Sequence, residues 1–210
     1  MGLINLLIQS PGTFFLIALP LLYSVILHEI AHGWVALKMG DRTAKRAGRL
    51  TLNPLKHLDP VGTLMLFIFG FGWARPVPVD FSNLRDQRRG LLLVSSAGVA
   101  VNLFLAFAAL FLLQALSLDP RGATALMLYY MAQINIILAA FNLIPIPPLD
   151  GSKILMGFLP ARIQSILSRL EPYGLLIIIA LLYLHVLDPV IHLFRALIVS
   201  FIKLFLFTGP

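Results

Sequence analysis

Two histidines and a glutamate stand close together in the first long apolar stretch of the chain. His28 and His32 are four residues apart, so on a helix their side chains project from one face, one turn from each other. That spacing lets two imidazoles reach one tetrahedral metal ion. Glu29 would lie beside the metal, where its carboxylate can take a proton from a water that the metal binds. This HExxH pattern predicts a zinc-dependent hydrolase.

The position of the motif inside an apolar segment strengthens the prediction. Ionisable side chains within a membrane-spanning helix are costly and usually serve a function. A cation bound by the histidines, with a water-filled pocket around the glutamate, would offset the cost. The alternative interpretation is a structural polar network between helices.

A catalytic zinc takes a third protein ligand besides two histidines. The chain has no cysteine, so the ligand must be another imidazole or a carboxylate. Asp150 is favoured because it closes the proline-rich stretch IPIPPLDG, which breaks a helix and can hold a carboxylate rigidly near membrane depth. The other candidates are His57, Asp59, Asp80, His185 and His192.

Two asparagines lie in apolar surroundings later in the chain. Asn102 stands in SSAGVAVNLFLA and Asn142 in AAFNLIPIP. Each could hydrogen-bond between helices. Each could instead be catalytic, by donating to the oxyanion of a tetrahedral intermediate.

The composition is that of a polytopic membrane protein. Of the 210 residues, 59% are hydrophobic and 12% charged, about half the charged fraction of soluble domains. The net charge of +7 fits basic loops against anionic lipid headgroups, and we expect the lipid bilayer and no nucleic acid as partner. The expected fold class is all-α, in a single integral membrane domain over residues 1–210 with a catalytic core at about 13–153 and C-terminal helices at about 154–210.

Charge in the loops predicts the topology. The apolar blocks at about 13–37, 91–116 and 123–143 are long enough to span. Basic residues follow the first block and precede the second, which places both ends of the intervening segment in the cytoplasm and the N-terminus outside. We therefore expect a multi-pass protein of the cell membrane whose active site faces the cytoplasm.

The intervening segment, residues 58–80, is expected to enter the membrane and return. Its apolar part, about 61–71, is short and rich in glycine and proline. Irregular backbone at membrane depth is tolerated only against protein or a wet cavity, so this segment should line the site. Its end, RPVPV, is predicted to be extended, since each proline disfavours helix in the preceding residue.

The C-terminal part is less clearly defined. The basic and apolar residues of 152–174 predict a helical stretch at the membrane interface. Residues 174–187 are a short apolar block that can span the membrane together with its flanks. For residues 189–207 the sequence leaves open whether the helix spans or lies in the interface.

The motifs together resemble those of the site-2 protease family of intramembrane zinc metalloproteases. HEIAH, AGVAVN and NLIPIPPLDG occur in the order of that family, and LDPVGT and GWARPVPV look like its compact bacterial and archaeal members without a PDZ or CBS domain. The resemblance implies a three-helix core, zinc bound by His28, His32 and Asp150, and Glu29 as general base. It also implies Asn102 and Asn142 near the substrate or oxyanion. Gly98 is followed by Val99 where the family usually has proline.

The resemblance implies cleavage of peptide bonds within or near the transmembrane segments of membrane proteins. The alternatives are a membrane zinc hydrolase of another substrate, a metal-dependent transporter and a non-catalytic scaffold. The chain has no internal repeat of the kind transporters show. Because a helical substrate must unwind before it is cut, we expect the stretch from Arg75 to Phe81 to pair with it by strand addition.

Overall fold

The computed structural model describes residues 3–70 and 72–206, apart from the side chain of Ala161. Helices dominate these ranges, and no strand forms in them. We number the α-helices as α1 Leu3–Gln9, α2 Pro11–Met39, α3 Thr43–Arg46, α4 Pro60–Phe69, α5 Gln87–Ala115, α6 Ala123–Asn142, α7 Asp150–Met156, α8 Ala161–Leu170, α9 Gly174–Tyr183 and α10 Asp188–Leu206.

Five helical stretches in the described part of the chain are long and apolar enough to cross a membrane. They are α2, α5, α6, α10 and the stretch Arg162–Tyr183, which joins α8 and α9 through a short 3-10 turn. The predicted all-α polytopic fold is confirmed. The expected end of the last block, Phe207, lies outside the described residues.

Helices α2, α5 and α6 pack against one another and form the core of the bundle. Small residues at the contacts, such as Ala106 and Ala139, let the backbones approach closely. Asn135 of α6 donates to the Ser24 hydroxyl of α2 at 2.7 Å, so a buried polar pair fixes these helices together. Helix α10 packs on α5 and α6 through Ile198 and Ile202.

The segment between α2 and α5 does turn back on itself. Helix α4 has ten residues, about 15 Å, which is half the thickness of the hydrocarbon layer. Asp59 caps its start by accepting from the Gly62 amide at 2.8 Å. An antiparallel bridge then pairs Leu58 with Ala74, which brings the two ends of the segment together. The chain therefore doubles back over this segment, as predicted, while its entry into the membrane stays a prediction; Phe71, at its expected apolar end, is not among the described residues.

The end of α2 and the start of α5 lie side by side. The Arg85 amide donates to the Met39 carbonyl at 3.0 Å. Asp41, which is 1% exposed, accepts from the amides of Thr43 and Asp80 at 2.9 Å each and from the side chain of Asn83 at 3.2 Å. The two basic stretches predicted to share one side of the membrane therefore share one end of the bundle.

Helix α6 stops where the prolines begin, and α7 starts at Asp150. Residues 143–149 form tight turns between them. Ile144 and Leu149 bury their side chains against α9 through Ile178, which anchors the break in the C-terminal helices. Gly151 lies so close to the backbone of Leu143 and Ile144 that any side chain there would collide with it. The break therefore holds Asp150 in a fixed position.

Candidate metal centre

His28 and His32 present their Nε2 atoms to each other at 3.1 Å from consecutive turns of α2. Asp150 reaches the same point from the start of α7, and its Oδ2 lies 3.2 Å from each Nε2. The three side chains are only 8% to 12% exposed. Of the acidic and histidine side chains in the described part of the chain, these three have ligand atoms close enough together to hold one metal ion.

The geometry of these three atoms fits a metal ion better than a set of hydrogen bonds. Zinc binds nitrogen and oxygen at about 2.0 to 2.1 Å, so two ligands of a tetrahedral site lie about 3.3 to 3.4 Å apart. The observed separations are 3.1, 3.2 and 3.2 Å. Asp150 Oδ2 is buried, yet no aligned hydrogen bond satisfies it. It faces the Nε2 atoms of both histidines instead.

Asp150 would have to be deprotonated to hold a metal ion, as would Nε2 of both histidines. A carboxylate is the form that binds zinc.

The backbone of α5 orients His32. The Val94 carbonyl lies 2.7 Å from His32 Nδ1 and can accept only if that nitrogen carries the proton. Nε2 is then unprotonated and free to bind a metal, in the arrangement that structural and catalytic zinc sites share.

Asn102 contacts Nδ1 of His28, as the Val94 carbonyl contacts Nδ1 of His32. It is completely buried, its amide nitrogen lies 3.1 Å from His28 Nδ1, and its Oδ1 has no partner. Rotating the amide by half a turn puts Oδ1 against Nδ1, and the two arrangements are not distinguished by heavy-atom positions. In that arrangement Oδ1 accepts the Nδ1 proton and leaves Nε2 free for metal.

Gly98 makes room for His28. A Cβ atom added to Gly98 would lie 2.6 Å from both ring nitrogens of that histidine, well inside van der Waals contact. The glycine of AGVAVN thus lets α5 approach the imidazole, one turn before Asn102. Val99, at the usual proline position, packs into the α5, α6 and α10 core.

Glu29 lies beside the three atoms but does not join them. Its Oε2 accepts from the Val77 amide at 2.8 Å. Val77 belongs to RPVPV, which is not helical, as predicted. Glu29 and Val77 line one cavity of about 310 Å³ with the two histidines and Asp150. The re-entrant segment therefore forms a wall of the site.

Asn142, at the last position of α6, also lines this cavity. Its amide nitrogen donates to the Leu138 carbonyl one turn earlier, at 3.0 Å. Asn102 lies on the opposite side of His28 and is not part of the cavity wall. The two asparagines thus occupy different places, one inside the cavity and one behind an imidazole.

The other candidates for a third ligand have separate structural partners. His57 is buried with Nε2 2.8 Å from the Thr51 carbonyl, and His185 contacts Asp188 at 2.8 Å. Asp59 and Asp80 cap short helices. His192 is exposed on α10.

Sequence reasoning missed three contacts that shape the site. The Val94 carbonyl and the Val77 amide are backbone groups, so no residue type in the sequence marks them. Arg49 is buried and donates to the Arg75 carbonyl at 2.7 Å, which anchors the start of RPVPV. Its place in a run of basic residues gave no sign of burial.

Comparison with known proteins agrees with the motifs. Residues 120–185 match the model of peptidase family M50. The chain is 42% identical over 172 residues to a Bacillus subtilis protein named "Putative zinc metalloprotease YwhC", covering 79% of this chain and 78% of that one.

Mycobacterial proteins are also similar. "Putative zinc metalloprotease Rip2" of Mycolicibacterium smegmatis is 33% identical over 180 residues, covering 81% of this chain and 68% of the relative. The Rip2 of Mycobacterium tuberculosis strain H37Rv is 34% identical over 179 residues, with 81% and 67% covered. No solved structure matches. These similarities show that the chain belongs to peptidase family M50, the family of the site-2 proteases.

Proposed function

We propose that this protein is an intramembrane zinc metalloprotease that hydrolyses peptide bonds within or near the transmembrane segments of membrane proteins. The observation that carries the proposal is the triangle of His28, His32 and Asp150 with Glu29 beside it, enclosed in a bundle of apolar helices. The names of the similar proteins agree with zinc and with proteolysis.

His28, His32 and Asp150 would hold the zinc ion through Nε2, Nε2 and Oδ2. Bound zinc supplies a Lewis acid that polarises the scissile carbonyl and activates a water for attack. The protein fixes the direction of the imidazoles from behind, through the Val94 carbonyl and Asn102. Asn102 in this proposal is a positioning residue, because it touches His28 and not the cavity.

Glu29 is the proposed general base. Its side chain lines the same cavity as the three ligand residues, so it is the carboxylate placed to receive the proton that the attacking water loses. The Val77 amide holds Oε2, so one carboxylate oxygen is fixed and the other can turn toward the water. Asn142 is the proposed donor to the developing oxyanion, because its side chain lies in the cavity wall.

A substrate strand would lie along the stretch from Arg75 to Phe81. Within RPVPV, Pro76 and Pro78 have no amide proton and the Arg75 amide donates to the His57 carbonyl, so the remaining donors are Val77 and Val79. The Val77 amide points at Glu29, which turns this donor edge toward the site. The Val79 amide has no acceptor among the described residues, and Val79 lines the cavity. An unwound substrate could therefore supply the carbonyl that Val79 lacks.

The site would open to the cytoplasm in the cell membrane. The basic residues after α2 and before α5 lie at the end of the bundle where RPVPV enters the cavity. Positive charge marks the cytoplasmic side of membrane proteins. The substrate would then be cut near its cytoplasmic end.

The test is reconstitution of the purified protein with single-span membrane proteins and, in parallel, with phospholipids and prenylated peptides. Cleavage of a membrane protein inside or next to its span, lost in Glu29→Gln, is the expected result. Hydrolysis of the lipid or prenyl probes alone would assign the same site to another substrate class. No turnover of any probe by zinc-loaded wild type would overturn the proposal.

A further inference from the structure

A second cavity of about 760 Å³ adjoins the candidate metal centre. The two cavities share the side chains of Val79, Phe81 and Lys153 as a common wall. The second one lies between the 3-10 turn Phe81–Asn83, the start of α5 and the helices α7 and α8. It therefore borders the candidate metal centre directly, on the side where Lys153 stands.

Lys153 stands at the junction of the cavities. It lies one turn after Asp150 on α7, so the same short helix positions both side chains. Its ammonium group lies 5.7 Å from the centroid of the Phe81 ring, a cation–π distance that holds the charge at the shared wall. Lys153 is half-buried, unlike exposed cations such as Arg42 and Lys45.

The charge of Lys153 has no acidic partner in the described part of the chain. Among the described residues, no carboxylate forms an ion pair with it. Glu171 lines only the second cavity, and Arg88, the other cation there, is held by the Gly157 carbonyl at 2.7 Å. A partly desolvated cation without a counter-ion favours an anion that enters with a ligand.

We propose that the second cavity binds the flank of the substrate that leaves the membrane, and that Lys153 selects an acidic side chain in that flank. This inference rests on the proposed protease function, because the occupant is the remainder of the chain whose peptide bond lies at the metal centre. The adjacency of the two cavities places the flank beside the metal centre, and the ammonium group without a counter-ion supplies the preference.

The experiment uses internally quenched peptides with one common apolar centre, in neutral detergent micelles without phospholipid. The peptides carry Asp, Ser or Lys at successive positions of either flank. Wild type is compared with Lys153→Glu, Lys153→Gln and Lys153→Arg. Arg169→Glu is the matched control, since Arg169 is an exposed cation of α8 outside both cavity walls. Zinc content and thermal unfolding are measured for every variant.

For wild type we expect kcat/KM to favour Asp over Lys by about fivefold at positions of one flank, the range of a single charge pair at a partly exposed site. Lys153→Arg and Arg169→Glu should keep this preference, Lys153→Gln should abolish it and Lys153→Glu should invert it. A preference that Lys153→Glu leaves unchanged would overturn the inference while the protease function stands. An equal loss on all peptides would also overturn it and assign Lys153 to the fold. Failure of wild type to cleave any peptide in a Glu29-dependent way would overturn the proposed function and this inference with it.

Discussion

The backbone amide of Val77 donates a hydrogen bond to Glu29 Oε2 at 2.8 Å. The two residues are 48 positions apart, one on the spanning helix α2 and the other at the end of the re-entrant segment. The bond joins the proposed base to the proposed substrate-binding stretch. Any change to the path of RPVPV therefore acts on Glu29 as well as on the substrate.

Proline substitution separates these two roles. Val77→Pro removes the donor to Glu29 and should impair cleavage of every substrate. Val79→Pro removes an amide that has no acceptor among the described residues, so it should impair an intact transmembrane substrate more than a short unstructured peptide. Helix-breaking residues near the cut site of the substrate should partly rescue Val79→Pro. Equal losses of kcat/KM on both substrates, without rescue, would reject strand addition.

Substitution of Asn102 tests its contact with His28. Asn102→Leu leaves Nδ1 without an acceptor and should weaken zinc binding by about 10-fold to 100-fold, as loss of such an outer partner does. Asn102→Asp keeps an acceptor at that position and should bind zinc more tightly than Asn102→Leu. Competition with a chromophoric chelator measures both. An oxyanion donor would behave differently, since its loss would lower kcat while zinc affinity stayed at the wild-type value.

Gly98→Ala should displace the His28 imidazole. The added methyl group would lie 2.6 Å from both ring nitrogens, so the ring or α5 must move and zinc affinity should fall. Gly12→Ala is the control, because a Cβ there meets nothing within 4 Å. Alanine is otherwise better than glycine within a helix, by about 1 kcal/mol. A Gly98→Ala protein with wild-type affinity would show that α5 does not approach His28 this closely.

Asp41 should make the loop end of the bundle sensitive to acid. Burial raises the pKa of this carboxyl group, but its hydrogen bonds with Thr43, Asp80 and Asn83 outweigh burial and hold the pKa below its ordinary value of about 3.9. A lowered folded pKa contributes stability in full above the ordinary value and loses it as the pH falls through the folded pKa.

Thermal unfolding of wild type and Asp41→Asn as a function of pH measures this contribution. At neutral pH the variant should unfold at a lower temperature than wild type. Below about pH 4 the difference should shrink, since the carboxyl group of Asp41 then takes up a proton in the unfolded chain while it still resists protonation in the folded protein. Parallel curves down to the lowest pH would show that Asp41 adds no ionic stabilisation.

Cysteine labelling tests the placement of both basic stretches on one side of the membrane. The chain has no native cysteine, so Lys45→Cys and Arg89→Cys each give a single site. Arg89 is preferable to Arg88, whose side chain donates to the Gly157 carbonyl. Both cysteines should react with an impermeant reagent only from the cytoplasmic side. Labelling from opposite sides would mean that residues 58–80 cross the membrane.

Residue chemistry made much of this site predictable. The helical repeat fixes the spacing of the side chains in HExxH. The prolines before Asp150 predicted that the helix breaks there. The roles of backbone groups were not visible, because a carbonyl at Val94 or an amide at Val77 depends on how elements pack. The direction of Asn102 was equally hidden, since an asparagine on a helix can face a cavity or the back of an imidazole.

The same contrast holds for the fold. Long apolar blocks predicted the helices α2, α5 and α6. Basic residues on both flanks of residues 58–80 predicted that this segment returns to the side from which it starts. The last helix remained open in the sequence because its His192, Arg195 and Lys203 suit an interface as well as a span. In the structure Ile198 and Ile202 pack against α5 and α6, so α10 joins the helical bundle, and its length and apolar character are those of a candidate span.

The most direct measurement combines metal analysis with turnover on one set of purified proteins. Wild type should contain one zinc per chain and cleave a membrane substrate. Asp150→Ala should lose both zinc and activity. Glu29→Gln should retain zinc while its cleavage rate falls by at least about 10²-fold, as expected when a general base is removed. Full zinc occupancy and full activity in Asp150→Ala, or near-normal turnover in Glu29→Gln, would contradict the account.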